Sequence, residues 1–355
     1  MKPKLPVRRA ILNRRTYEAP AEGRQNKLRL DFNENTTGCS PAVKRALAKL
    51  TTKQLAMYPE YEARTRKVAQ YLQVRAEELL LTNGGDDALR VFFDTFVDAG
   101  SHILICEPTF PMYRYYAEIS GARIDALRYG ANMEFSVEDA VAALRKKPRV
   151  LFIANPNNPT GTLLGYAELE KILRAATRTA VVIDEAYAEF SGLTVVPWIR
   201  KYPHLFVTRT FSKAAGLAGL RLGAVMAAKD SLAMLRRAMP PYPVNIAALA
   251  AAEAVIRDVR TLRSYVRNVT HTRGWFEKEL LRLGVTSYPS AANFVLADFG
   301  SQGPALFKRF EAKGILVRER KEFRPGFARI TIGTDREMKR FVRETEAYWL
   351  RSNPV

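Results

Sequence analysis

The chain has 355 residues, 47% of them hydrophobic and 26% charged, which describes a globular protein long enough for two domains and excludes a disordered or fibrous one. Its 56 Lys and Arg outnumber 36 Asp and Glu to give a formal charge of +20. That excess is spread along the chain without a long basic block, although nine of the cations fall in the first 29 residues; we expect no nucleic-acid or membrane partner, and the charge is either a solvated basic surface or a field that would concentrate anionic substrates.

In chain order, an apolar run at residues 78–81 leads into Thr82-Asn-Gly-Gly-Asp-Asp-Ala88 and a helical pattern over 86–97. A strand is predicted over 102–106, a helix over 112–120 and a short strand over 123–127. Ser136 followed by Asp139 marks the capped start of a helix over 136–145. Residues 150–154 and 180–183 are continuous apolar runs, as expected of strands buried on both faces, with a helix over 166–176 between them and another strand over 205–208. This alternation predicts an α/β fold with a largely parallel sheet covered by helices on both sides. From residue 246 the pattern changes to a helix-rich stretch reaching 283. Short strands follow at 293–297, 315–317 and 328–332. We therefore expect an N-terminal arm (1–32), a large domain (33–245) and a smaller α+β domain (246–355).

The longest apolar stretch, near 246–256, is too short to span a bilayer and contains Glu253. The first residues carry no apolar signal core. Cys39 and Cys106 make no disulfide framework, and a cytoplasmic location is the expectation. His102, His204 and His271 are scattered without ligand spacing, so no metal is expected.

The polar motifs follow the predicted strands, where ligands bind in open α/β sheets. Gly84 and Gly85 permit a tight turn into a helix whose first amides could receive a phosphate, although glycines followed by acids also make an ordinary helix start. Asn155-Pro-Asn-Asn-Pro-Thr-Gly161 is a rigid loop, either a plain polar turn or an amide donor. Asp184, with Tyr187 three residues on, could hold a proton on a ring nitrogen, or could simply cap or pair. In Arg209-Thr-Phe-Ser-Lys213, with Gly216 and Arg221 beyond it, an amine able to form a Schiff base stands among hydroxyls and a guanidinium suited to phosphate. Pyridoxal 5'-phosphate is a cofactor that needs both at once.

Together the chain resembles the fold-type-I pyridoxal-phosphate aminotransferases of class I/II, and within them the histidinol-phosphate aminotransferases. The resemblance rests on Asp31-Phe-Asn-Glu-Asn35 with Gly38, Tyr58-Pro59, Gly84-Gly-Asp-Asp87, Pro108-Thr-Phe-Pro-Met-Tyr113, the 155–161 loop, Asp184-Glu-Ala-Tyr187, the Lys213 segment with Arg221, and Arg329-Ile-Thr-Ile-Gly333. It implies a mostly parallel sheet of the seven-stranded type and a smaller α+β domain. Lys213 would be the catalytic amine, Asp184 the partner of the pyridinium nitrogen, and Asn158 and Tyr187 donors to the phenolic oxygen. Tyr113 would stack on the ring. Gly85, Asp86, Thr210, Ser212 and Arg221 would hold the phosphate. Tyr58 would reach the cofactor of a partner subunit, implying a homodimer. Tyr17, Asn35 and Arg329 would contact the substrates, an amino donor and a keto acid. Two departures, Gly85-Asp86-Asp87 and Asn35-Thr-Thr-Gly38, leave an aromatic amino acid aminotransferase or a threonine-phosphate decarboxylase as alternatives to histidinol phosphate.

Overall fold

The computed structural model describes residues 5–12, 14 and 22–352. Its strands are β1 (Leu28–Leu30), β2 (Leu79–Thr82), β3 (His102–Glu107), β4 (Arg123–Arg128), β5 (Val150–Ala154), β6 (Ala180–Asp184), β7 (Leu205–Thr210), β8 (Gly223–Ala227), β9 (Thr286–Tyr288), β10 (Phe294–Asp298), β11 (Ile315–Glu319) and β12 (Phe327–Thr331). Seven of them form one sheet in the order β2-β8-β7-β6-β5-β3-β4. Strands β3 to β7 pair in parallel, while β8 runs antiparallel to both neighbours, β7 and β2.

The apolar runs are continuous because each face of this sheet has its own core. Leu151 and Ile153 of β5 join a cluster with Leu79, Leu81, Val181, Ile183, Leu205 and Val207. The alternate residues Val150, Phe152 and Ala154 pack on the opposite face with Phe92, Phe93, Val182 and Phe206. Phe152 is 1% exposed and touches Phe92 edge-on at 5.7 Å and Phe93 face-on at 5.1 Å between ring centroids. Truncating such a ring costs about 3–5 kcal/mol. The helix predicted from Ser136 is capped as expected, its hydroxyl accepting from the Asp139 amide at 3.1 Å.

The smaller sheet has the order β1-β11-β12-β10-β9. Helices Val259–Arg282, Gly303–Ala312 and Asp335–Ser352 accompany it, and Leu30, Phe276, Phe294, Phe310, Ile330 and Phe341 fill its core. Three features depart from the sequence expectation. Strand β1, within the segment read as an arm, pairs in parallel with β11. Strand β8 is not among the expected strands: its run is apolar like β5 but made of Gly, Ala and Met around a single Val, a composition with little strand preference, and its place is between β2 and β7. The helix-rich stretch breaks at Asp258, and its first half, Ile246–Arg257, packs Ala248, Leu249, Ala252 and Val255 into the core of the larger sheet. Among the described residues, no helix is long and apolar enough to cross a membrane, and no group of His, Cys, Asp and Glu could hold a metal.

Candidate active site

The sheet register brings the polar motifs together. Ala154, Asp184 and Thr208 are neighbours across β5, β6 and β7. At the same end of the sheet, Gly223 pairs with Thr82 on one side and Thr210 on the other. The segments that follow these strands line a cavity of about 630 Å³.

One end of the cavity is built for an anion. The helix Gly84–Phe96 starts there with Gly84 in the left-handed region (φ +83), so its free amides and positive dipole end face the cavity. The left-handed backbone requires glycine at position 84, and at Gly223 a Cβ would stand 2.5 Å from the Gly84 carbonyl carbon, a backbone atom that cannot yield. Thr210 Oγ1 donates to Ser212 Oγ at 3.0 Å and accepts from the Ser212 amide at 3.1 Å. Arg221 donates to Asp86 at 3.0 Å. Gly85, Asp86, Thr210, Ser212 and Arg221 all line this end.

Deeper in the cavity, Lys213 Nζ donates to the Phe32 carbonyl at 2.8 Å. Burial, with the nearby Arg329 charge, pulls its pKa from 10.5 to about 8, so a neutral amine is within easy reach near neutrality. Asp184 accepts from the Tyr113 hydroxyl at 2.7 Å and the Ala186 amide at 3.1 Å. Burial raises its pKa while those two donors pull it back. Tyr187 is 4% exposed, and its hydroxyl accepts from Asn33 at 2.9 Å.

At the far end, buried Arg329 donates to Asn158 Oδ1 at 2.6 Å and to the Asp31 carbonyl at 2.5 Å, while its Nε has no hydrogen-bond partner among the described residues. Burial lowers its pKa to about 10. Arg24, Arg318 and Arg320 line the same wall. Arg24 clasps Asp31 at 2.7 Å and Glu34 at 2.9 Å and stacks over Phe32 at 4.2 Å.

An amine, a half-buried carboxylate and an anion cradle around one cavity are the parts that a known family shares. Residues 25–344 match the model of the family described as aminotransferase class I and II. The chain belongs to that family. As a member, this aminotransferase works with pyridoxal phosphate and moves amino groups between small amino and keto compounds. It is 35% identical over 341 residues to histidinol-phosphate aminotransferase 2 of Legionella pneumophila (strain Lens), covering 94% of this chain and 92% of that protein. Its fold is that of the histidinol-phosphate aminotransferase from Sinorhizobium meliloti solved with pyridoxal-5'-phosphate, with a TM-score of 0.83, 24% identity and 91% of each chain covered. It is also that of L-threonine-O-3-phosphate decarboxylase from Porphyromonas gingivalis, with a TM-score of 0.79, 24% identity and coverage of 91% of this chain and 99% of that one.

Most of the residues singled out in the sequence meet in the aminotransferase's cavity, but three do not line it. Tyr113 is fully buried: its ring packs on Phe152 at 5.2 Å, and its hydroxyl reaches Asp184 from behind. It has no face free to stack on a ligand. Phe110, three residues earlier and edge-on to Tyr113 at 5.7 Å, is the aromatic of this motif that lines the cavity. Asn35 faces a separate small cavity, spending its amide on the Ala214 carbonyl at 3.4 Å and on Thr37; Phe32, Asn33 and Glu34 line the main cavity instead. Tyr58 lies at the surface, 75% exposed, stacked on Tyr242 at 4.4 Å. Tyr17 lies outside the described residues. The sequence reading also missed Arg24, whose only local signal is its spacing from Asp31 and Glu34.

Proposed function

We propose that this aminotransferase exchanges an amino group between L-histidinol phosphate and the 2-oxoglutarate/glutamate pair. The observation that carries the proposal is the wall of Arg24, Arg318, Arg320 and Arg329 beside the aromatic faces of Phe32 and Phe110. Histidinol phosphate offers a phosphate and an aromatic ring but no carboxylate, whereas glutamate offers a carboxylate. A guanidinium donates to either anion in bidentate fashion. The activity in the name of the Legionella relative supports the same choice.

The residues present fit pyridoxal phosphate. The anion cradle, with no Cβ at Gly84 or Gly223, suits the phosphate. Asp184, held by two donors, suits a protonated ring nitrogen. When bound, the cofactor supplies an electron sink for negative charge at the substrate α-carbon. Lys213 Nζ, close to neutrality, takes the α-carbon proton and returns it. Asp184 keeps a positive charge on the ring by charge-assisted hydrogen bonding. Asn158 and Tyr187 would face the phenolic oxygen, Phe110 would cover the ring, and Arg329 would orient the substrate anion. Leu55, Met57 and Tyr58 are exposed along one short segment, and Tyr58 stacks on exposed Tyr242; these apolar groups suit a homodimer in which Tyr58 would reach the neighbouring subunit's cofactor phosphate.

A transamination panel tests the substrate. Purified protein is given 2-oxoglutarate with histidinol phosphate, phenylalanine, tyrosine or threonine phosphate. The proposal expects the highest kcat/KM with histidinol phosphate. A preference for phenylalanine or tyrosine replaces it with an aromatic amino acid aminotransferase. Carbon dioxide release from threonine phosphate without keto-acid formation replaces it with a decarboxylase.

A further inference from the structure

Asn33 lies in the short segment between β1 and the helix starting at Pro41. It is 1% exposed and adopts the left-handed backbone region (φ +56), which a non-glycine residue holds at a cost of about 1 kcal/mol or more. Four hydrogen bonds hold it there. Its amide donates to Thr331 Oγ1 at 2.9 Å, and that hydroxyl donates back to Asn33 Oδ1 at 3.2 Å. The Asn293 side chain donates to the Asn33 carbonyl at 3.0 Å. Asn33 Nδ2 donates to the Tyr187 hydroxyl at 2.9 Å.

The directions of these bonds are forced. A backbone amide only donates, so the Thr331 oxygen must accept from it, and the Thr331 proton is left to point at Asn33 Oδ1. That makes Oδ1 the accepting side of the amide and turns Nδ2 toward the phenol. The Tyr187 oxygen therefore receives a hydrogen bond from the side of the smaller sheet, and its own proton is not spent on Asn33. Phe294 of β10, edge-on at 5.1 Å, fixes the ring. The charged groups acting on the phenol are Arg329, Arg320 and Asp184; Asn33 is a neutral donor among them.

We infer that Asn33 is a positioning residue for Tyr187, occupying the phenol oxygen from the β10–β12 side so that the phenolic proton is directed into the cavity. The inference rests on the proposal that the cavity holds pyridoxal phosphate with its phenolic oxygen facing Tyr187. Accepting from Asn33 strengthens the phenol as a donor, because hydrogen bonds in a chain polarise one another. The amide thereby stabilises a negative charge on the oxygen that Tyr187 faces, and it couples the smaller sheet, through Thr331 and Asn293, to the cofactor's electronics.

The test is a pH titration of the visible absorbance of the cofactor-loaded, substrate-free protein, with no turnover involved. Asn33→Gly keeps the left-handed backbone and removes the donor. Its midpoint is expected to rise by about one pH unit, the equivalent of one net hydrogen bond. Tyr187→Phe shifts the midpoint the same way, and in that background Asn33→Gly adds nothing further. If the glycine variant does not fold, Asn33→Asp serves: it has the same size, tolerates the same backbone, and accepts the phenolic proton instead, so the same rise is expected. A normal wild-type band with an unchanged midpoint in the Asn33 variant, or a full shift that persists in the Tyr187→Phe background, overturns the inference alone. A wild-type protein with no cofactor band overturns the underlying reading and the inference with it.

Discussion

Gly223 lies so close to Gly84 that a Cβ on it would stand 2.5 Å from the Gly84 carbonyl carbon. These two residues join the β8 strand to the first turn of the helix Gly84–Phe96, and Gly223 also pairs with Thr82 and Thr210. A single methyl group would push the helix amides and the hydroxyl side of the anion cradle apart. Gly223→Ala is expected to cost about 1–3 kcal/mol, as overpacking of a rigid site does. Part of that cost should appear as a pyridoxal phosphate dissociation constant raised roughly tenfold. Cofactor titration with parallel thermal melts measures both.

Lys213→Ala removes the amine but leaves the cradle and Asp184 in place. Turnover should fall by at least ~10²-fold, the contribution of a positioned acid–base group, while pyridoxal phosphate still co-purifies. Parallel loss of cofactor and fold would instead assign the lysine a structural role.

The same lysine makes the cofactor-free protein's stability pH-dependent. Its folded pKa, about 8, lies below the ordinary 10.5 because burial and Arg329 disfavour the charge. Below pH 8 both the folded and unfolded chains hold the proton, and the folded protein bears the whole cost. Between 8 and 10.5 the unfolded chain keeps a proton that the folded protein has released, so stability rises with pH; above 10.5 the cost is gone. Lys213→Met should therefore stabilise the cofactor-free protein at neutral pH by roughly 1–3 kcal/mol, discounted because the amine borders the cavity. The gain should fade toward alkaline pH in urea unfolding curves.

Arg329→Lys keeps a positive charge but loses the planar fork that spans Asn158 and the Asp31 carbonyl. The KM for glutamate should rise by at least ~10-fold, a bidentate contact reduced to a point charge. The visible band without substrate should persist. An unchanged KM would refute the role in anion binding.

The apolar groups of Leu55, Met57, Tyr58 and Tyr242 are exposed on this chain. Leu55→Glu with Met57→Glu places two charges there and should convert the proposed homodimer to monomers in sedimentation velocity, with weaker cofactor retention. A dimer unaffected by both charges would place the interface elsewhere.

Strands β5, β6 and β7 are legible in the sequence because burial on both faces demands unbroken apolar runs, and the Asp184 and Lys213 motifs follow directly on such runs. The strand-then-loop order is a property of the local chain, and it is enough to assemble the amine, the carboxylate and the anion cradle. Side-chain direction is not local. Phe110 and Tyr113 belong to one motif, yet Tyr113 turns inward because Phe152 and Asp184 receive it, and Phe110 is left to the cavity. Asn33 and Asn35 stand two residues apart, and it is Thr331 and Asn293, some 260 to 300 positions away, that turn Asn33 toward Tyr187. Strand β8 is apolar throughout like β5, but its Gly, Ala and Met residues carry little strand preference of their own, and pairing with β2 and β7 makes it a strand. Periodicity and motif order therefore decide which segments meet, whereas packing against distant segments decides which atom of each segment faces the cavity.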